Sequence, residues 1–294
     1  MVHKLKDFGS YLVASISKSL FFRLAYFHNR GKWPNLKCPH DLSELWIAKV
    51  LRGDNMRNYS WADKYLVRNH IVEIGLGELL VPLIGMYTDA DDIDFESLPN
   101  RFAIKMNYGA GMNIIVPDKK LLNITEAKET LNKWMNSSKY YSNAECHYNI
   151  MKRRIVIEEF IDDGNEGFPR DYKFMCINGK VHCILAVTDR NTGHGVYLPY
   201  SRDWMPLRDY FKGDTSNIQV IKAPENLKEL ISVSEKIAEG TDLLRVDLYS
   251  DGTKIWFGEI TLTPSGCIFH RWSQKALDTM GKIARNQIVD AKSK

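Results

Sequence analysis

The stretch from Leu243 to Gly266 sets the tightest limits on what this chain can fold into. Val246 and Leu248 alternate with Arg245, Asp247 and Tyr249. After a turn at Ser250-Asp251-Gly252-Thr253, Ile260 and Leu262 alternate with Glu259 and Thr261. Alternation with a period of two marks strands with one apolar and one polar face, so the stretch reads as a hairpin carrying an arginine and two carboxylates. Whether Asp247 and Glu259 share a face depends on the turn, because one residue more or less flips the pairing parity. A two-residue turn at Asp251-Gly252 puts the acids on opposite faces, whereas an odd loop or a bulge at Ser250 to Thr253 puts them together. Together, beside an arginine, they suit Mg2+ and the phosphates of a nucleoside triphosphate. Apart, they are the ordinary polar face of an exposed hairpin.

The 294 residues suffice for one large or two to three small domains, with 44% hydrophobic and 26% charged residues as in ordinary globular proteins. A net charge of +4 is too small to argue for nucleic acid, and none is expected as a partner. Five cysteines without a Cys-x-x-Cys pair point to reduced thiols and a cytoplasmic setting. Cys38-Pro39-His40 lacks a second half at ligand spacing and reads as structural. Lys4 and Lys6 precede a short apolar run, but Lys18 and Arg23 interrupt it, which fits neither a signal peptide nor a membrane span. Leu12, Ile16, Leu20, Leu24 and Phe27 recur at helical spacing among Lys18, Arg23 and Arg30. This basic amphipathic helix packs on the protein's own core or, alternatively, docks on the inner face of a membrane or on a partner.

Further along, a helix is expected over Leu42 to Leu51. Another is expected from Asp63 to Leu76, with Ser60 as its cap. Leu79 to Tyr87 is strand-like and Thr88 to Pro99 is an exposed acidic loop. Phe102 to Asn107 is a strand running into Tyr108-Gly109-Ala110-Gly111, where Lys105 and backbone N–H groups could meet phosphate, although a plain hairpin turn explains the glycines equally. Neither a P-loop nor a Gly-x-Gly-x-x-Gly fingerprint occurs. Ile124 to Met135 is a helix. Tyr140, Tyr141, His147 and Tyr148 form an aromatic group, either core or groove lining. Ile155 to Ile161 is a buried strand holding Glu158 and Glu159, and Asn178-Gly179 turns a hairpin between Asp171 and Thr188. Glu225 to Glu239 and Ser273 to Asp290 are helices, giving an α+β arrangement with no βαβ repeat.

Read in order, Ala62-Asp63-Lys64-Tyr65, Lys105-Met106-Asn107-Tyr108-Gly109-x-Gly111, Glu158-Glu159-Phe160-Ile161, Asp171-Tyr172-Lys173-Phe174, Arg245-Val246-Asp247 and Phe257-Gly258-Glu259 resemble the ATP-grasp fold, and within it the TupA-like family tied to teichuronopeptide and surface-polysaccharide synthesis. The resemblance implies ATP between two α+β subdomains behind a helical N-terminal extension. Residues 1–60 would be the helical segment, 61–100 an N-terminal α/β part, 101–190 the lid, and 191–294 the subdomain carrying the Mg2+ site. It implies ATP contacts from Lys64, Lys105, Asn107, Gly109, Gly111, Glu158, Glu159, Phe160, Ile161 and Glu166, with Asp163 a lesser choice for the ribose. Asp247, Glu259 and Thr261 would hold Mg2+, Thr261 standing where many relatives carry an amide. Arg245, Lys173 and Arg190 would serve the transferring phosphoryl group and the acceptor carboxylate.

The activity implied is an ATP-dependent carboxylate–amine ligase working through an acyl phosphate. Its acceptor would be a uronic-acid carboxylate of a capsule or O-antigen glycan or its precursor, and its donor an amino acid or amino alcohol. Two alternatives stand beside it. A glycosyltransferase is motivated by Asp89-Ala90-Asp91 and Asp92-Ile93-Asp94, and an ATP-binding module without ligase activity is motivated by Thr261.

Overall fold

The computed structural model describes residues 13–14, 16–137, 145–162, 170–188 and 195–292. Helix α1 (Lys18–Arg30) begins at Ser17, whose side chain accepts from Leu20 N, and ends at Gly31 in the left-handed conformation. Helix α2 (Leu42–Leu51) starts from a capping box in which Asp41 and Glu44 satisfy each other's backbone N–H groups. The helix expected from Asp63 to Leu76 is instead two short ones, α4 (Tyr59–Ala62) and α5 (Val67–Glu73), after α3 (Asp54–Arg57). Asp63 breaks the run: its backbone is extended and its Oδ1 accepts from Tyr65 N and Leu66 N at 2.9 and 3.1 Å, while Ser60 lies inside α4 rather than capping a helix.

Two antiparallel sheets follow. The first has the order β1-β4-β2-β3, from β1 (Leu83–Tyr87), β2 (Phe102–Met106), β3 (Asn113–Val116) and β4 (Ile155–Glu159). Phe102, Ile104, Met106, Ile155 and Ile157 are its core, covered by Leu131 of α6 (Ile124–Met135). His147 and Tyr148 are buried here, as core residues, while Tyr140 and Tyr141 lie outside the described residues.

The second sheet has the order β7-β6-β5-β8-β9, from β5 (Asp171–Ile177), β6 (Lys180–Thr188), β7 (Val196–Ser201), β8 (Leu243–Ser250) and β9 (Ile255–Thr261). Residues 171–188 hydrogen-bond within this sheet and not with the first. Asn178 and Gly179 turn that hairpin with φ of 51° and 72°, as a two-residue turn matched to the strand twist requires. Strand β7 was not expected from the sequence; it holds Pro199, and its place at the sheet edge is where a proline is tolerated.

Both faces of this sheet are covered, and that decides where polar groups can go. Tyr172, Phe174, Val246 and Leu248 pack under α7 (Leu227–Ile237). On the other face Met175, Ile177 and Leu243 pack against Trp46 of α2, Phe22 and Tyr26 of α1, and Met280 of α8 (Gln274–Lys292). Asp171, Lys173, Arg245 and Asp247 continue that second face by alternation, beyond the reach of those helices. The two sheets meet where Leu262 packs against both cores and Ile161 packs with Val81 and Trp256.

Candidate active site

The two acids of the hairpin share a face, but the device that achieves it is not in the turn. Ser250 pairs with Ile255 and Leu248 with Phe257; the next pairs are Asp247 with Glu259 and Arg245 with Thr261. Gly258 is the extra residue, so the bulge lies in β9 and not at Ser250 to Thr253. A Cβ on Gly258 would stand 2.8 Å from Asp247 O and 3.1 Å from the Tyr249 ring, a space that only glycine leaves free.

Three cations and three carboxylates interlock on this face. Arg245 donates from Nε to Asp247 Oδ1 at 2.7 Å, and from one terminal nitrogen to Asp247 Oδ2 at 2.8 Å and Glu259 Oε1 at 3.3 Å. Lys173, directly opposite Asp247 on β5, donates to Asp247 Oδ2 at 2.6 Å and Asp171 Oδ2 at 2.8 Å. Thr261 Oγ1 donates to Glu259 Oε1 at 3.2 Å, and Lys64 Nζ lies 3.6 Å from Glu259 Oε2. Burial pushes the Glu259 carboxyl up, but Lys64, Arg245 and Lys173 outweigh it and hold it at about 2. Burial likewise opposes the charges of Arg245 and Lys173, yet the surrounding carboxylates keep both above their ordinary values. Asp247 is pulled the other way: burial raises its carboxyl against the opposing pull of Arg245 and Lys173.

The first sheet supplies a second cluster. Lys105 Nζ donates to Glu158 Oε2 at 2.6 Å and Arg68 to Glu158 Oε1 at 3.0 Å, so both carboxylate oxygens are held by cations. Gly109 and Gly111 take φ of 74° and 73°, which lets the β2–β3 loop turn back on itself. Lys64 ties this loop to the second sheet: its Nζ donates to Gly109 O at 3.0 Å and lies 3.6 Å from Glu259 Oε2. Asn107 does not face the loop's open side. It is fully buried, its Nδ2 donating to Asp63 Oδ2 at 2.6 Å and Lys152 O at 3.0 Å and its Oδ1 accepting from Arg154 N at 2.9 Å. Glu159 is exposed, Phe160 stacks under Arg101 at 4.2 Å, and Ile161 is buried. Glu166, Asp163 and Arg190 lie outside the described residues.

The sequence reading missed Arg68, Asp63 and Asp171 as site residues. Arg68 lies in the first turn of α5, four residues after Lys64 in the turn before it, and nothing local links it to Glu158, 90 positions away. Asp63's partner Asn107 lies 44 positions away and is set by tertiary contact, whereas Asp171 stands two residues before Lys173 on the same face of β5, a local spacing that was available. The two Asp-x-Asp motifs are loop furniture: Asp89 and Asp94 accept from Asp91 N and Glu96 N to close their own turns, and Asp91 pairs with Lys128.

As a donor set, Asp247, Glu259 and Thr261 offer two carboxylates and a hydroxyl. These are hard oxygens of the kind Mg2+ takes when substrate phosphates and water complete its shell. Among the described residues no group of three or more His, Cys, Asp or Glu surrounds one point, so a fully protein-made metal cage is not what this face offers.

Residues 45–282 match the TupA-like ATPgrasp family. Among solved structures, the D-alanine–D-alanine ligase of Bacillus anthracis is similar at 16% identity with a TM-score of 0.46, over 79% of this chain and 69% of that one. The ATP-grasp ligase PsnB complexed with its minimal precursor is similar at 12% identity with a TM-score of 0.41, over 80% and 62%. A RimK domain ATP-grasp protein of Sphaerobacter thermophilus is similar at 14% identity with a TM-score of 0.41, over 76% and 66%. The chain thus spans between three-fifths and seven-tenths of the length of these proteins. No curated protein sequence matches it.

Proposed function

The chain belongs to the TupA-like ATP-grasp family, and from that premise we propose that it is an ATP-dependent carboxylate–amine ligase. The observation that carries this reading is the direct pairing of Asp247 with Glu259 beside Arg245, on a face reached by Lys64 from the glycine loop. Mg2+ would be held by Asp247, Glu259 and Thr261, and MgATP when bound supplies the phosphoryl group and offsets its charge.

The chain's own residues then have distinct tasks. Lys105 and Lys64, with backbone N–H groups around Gly109 and Gly111, neutralise and position the polyphosphate. Glu158 and the backbone of Phe160 and Ile161 receive the adenine, and Glu166 the ribose. Arg245 stabilises charge that develops on the transferring phosphoryl oxygens, and Lys173 with Arg190 orients the acceptor carboxylate. Attack of that carboxylate on the terminal phosphorus gives an acyl phosphate and ADP. An amine then attacks the acyl carbon, phosphate leaves, and the amine's proton is lost as the amide forms. The substrates proposed are a uronic-acid carboxylate of a surface glycan or its precursor and an amino acid or amino alcohol, in keeping with the family's association.

The test is ADP and phosphate release with Mg2+ and ATP over a panel of uronic acids crossed with amines, with amide product followed by mass spectrometry. Turnover that needs both substrates supports the ligase. Cleavage of a sugar nucleotide without ATP would replace it with a glycosyltransferase, and tight ATP binding with no turnover on any pair would leave a binding module.

A further inference from the structure

Helix α1 has two unlike faces. Phe22 and Tyr26 are fully buried against Leu42, Trp46 and Ile47, while Leu20, Leu24 and Phe27 recur at i, i+4 and i+7 on the outside, 44%, 41% and 41% exposed. Ile16, just ahead of the cap, is 76% exposed. Trp33, 57% exposed, extends the stripe by stacking on Phe27 with ring centroids 4.7 Å apart. Scattered exposed leucines need no explanation, but a continuous apolar stripe ending in a stacked tryptophan does.

The charge around the stripe is of one sign. From Phe8 to His40 the chain has no acid and five lysines and arginines. Arg23 follows Leu20 by three residues and precedes Phe27 by four, so it borders both. Lys32 and Lys37 are exposed on either side of Trp33. At the same end Lys212 donates to Asn29 O at 3.3 Å. Burial first, and then Arg271, Lys212 and Arg30, hold His270 below its ordinary pKa. Asp41 and the exposed Asp278 offset Arg30, which is itself spent on the carbonyls of Ile268, Phe269 and Trp272, and Asp209 is paired with Lys275, so the rim's cations are Arg23, Lys32 and Lys37.

We propose that the α1 stripe with Trp33 docks in the interface of an anionic lipid bilayer, its apolar side chains at the acyl boundary and its cations among the head groups. An apolar stripe rimmed by cations meets its complement on such a surface, whereas a second copy of the chain would bring two positive rims together. The helix lies on the membrane: among the described residues none is long and apolar enough to cross one. This contact stands on its own observations and does not depend on the ligase reading.

The test is co-sedimentation of the full-length protein, without nucleotide, with vesicles of phosphatidylcholine alone or mixed with phosphatidylglycerol. Binding to the anionic vesicles that weakens in high salt, with little binding to pure phosphatidylcholine, is expected. The double substitution Leu24→Glu, Phe27→Glu is expected to lower partition at least about tenfold, the scale for one large apolar side chain leaving an apolar environment. Circular dichroism and melting check that these exposed substitutions leave the fold intact, and Trp33→Ala gives an independent readout in the same direction. Equal partition of wild type and the double variant, or no binding to anionic vesicles, overturns the proposal. So does a dimer in sedimentation velocity that the same substitutions dissolve, which would assign the face to self-association.

Discussion

Asp247 and Glu259 stand directly opposite one another across β8 and β9 because Gly258 is looped out between Phe257 and Glu259. Gly258→Ala places a methyl group 2.8 Å from Asp247 O and 3.3 Å from its carbonyl carbon, backbone atoms that cannot swing aside as a side chain can. The expected cost is about 1–3 kcal/mol of stability, with a larger loss of ATP turnover as the acids lose their pairing. Gly252→Ala, where nothing lies within 4 Å and only the positive φ of 102° objects, serves as the comparison. Chemical denaturation and ADP release on the two variants check this; a Gly258→Ala enzyme with normal turnover would mean that the bulge does not set the site.

The hairpin shows what was legible and what was not. Alternation fixed the two strands and the polar face, because burial on one side demands it. Parity did not follow, since a bulge depends on how near one carbonyl comes to one missing side chain, and that distance exists only in three dimensions. Asn107 illustrates the same limit from the other side. A lysine, an asparagine and two glycines in a row suggested phosphate contact for each, but Asp63, 44 positions away, claims the asparagine. The helices α2 and α6 were legible because cap residues and apolar spacing agree along each of them, and α7 from its apolar spacing alone.

Glu259→Gln separates charge from packing. The amide keeps the shape and can still accept from Thr261 and Arg245, but Lys64, Arg245 and Lys173 lose a counter-charge, so stability should fall by about 1–3 kcal/mol. If Glu259 holds the metal and the developing charge, turnover with saturating ATP and Mg2+ should fall by about 10²-fold or more. Equal turnover would remove Glu259 from the metal site, whatever the stability result.

For Asn107 the structure makes a prediction opposite to a phosphate contact. Asn107→Ala leaves the buried Asp63 carboxylate without its 2.6 Å donor and the Lys152 carbonyl without a partner from that amide. A loss of about 2–4 kcal/mol in folding stability is expected. ATP affinity of the folded fraction should weaken only modestly, through a looser β2–β3 loop. A variant of full stability whose ATP affinity alone collapsed would show that the amide faces the nucleotide instead.

His182 gives the fold a pH limb on the acid side of neutrality. Burial holds its pKa below the ordinary 6.5, and its ring, stacked on Tyr210 with Nε2 3.0 Å from the phenol oxygen, is kept neutral. The unfolded chain takes up a proton near pH 6.5 and the folded one does not, so the stability His182 contributes is complete above that pH. It is lost progressively as pH falls from 6.5 toward the depressed folded value. His70 and His270, also held low by burial, act in the same direction. Urea midpoints measured between pH 7.5 and 5.5 should therefore decline, and His182→Gln should flatten part of that slope while leaving the decline due to the other two. A slope unchanged by the substitution would mean that His182 takes up its proton at the same pH in the folded and the unfolded chain.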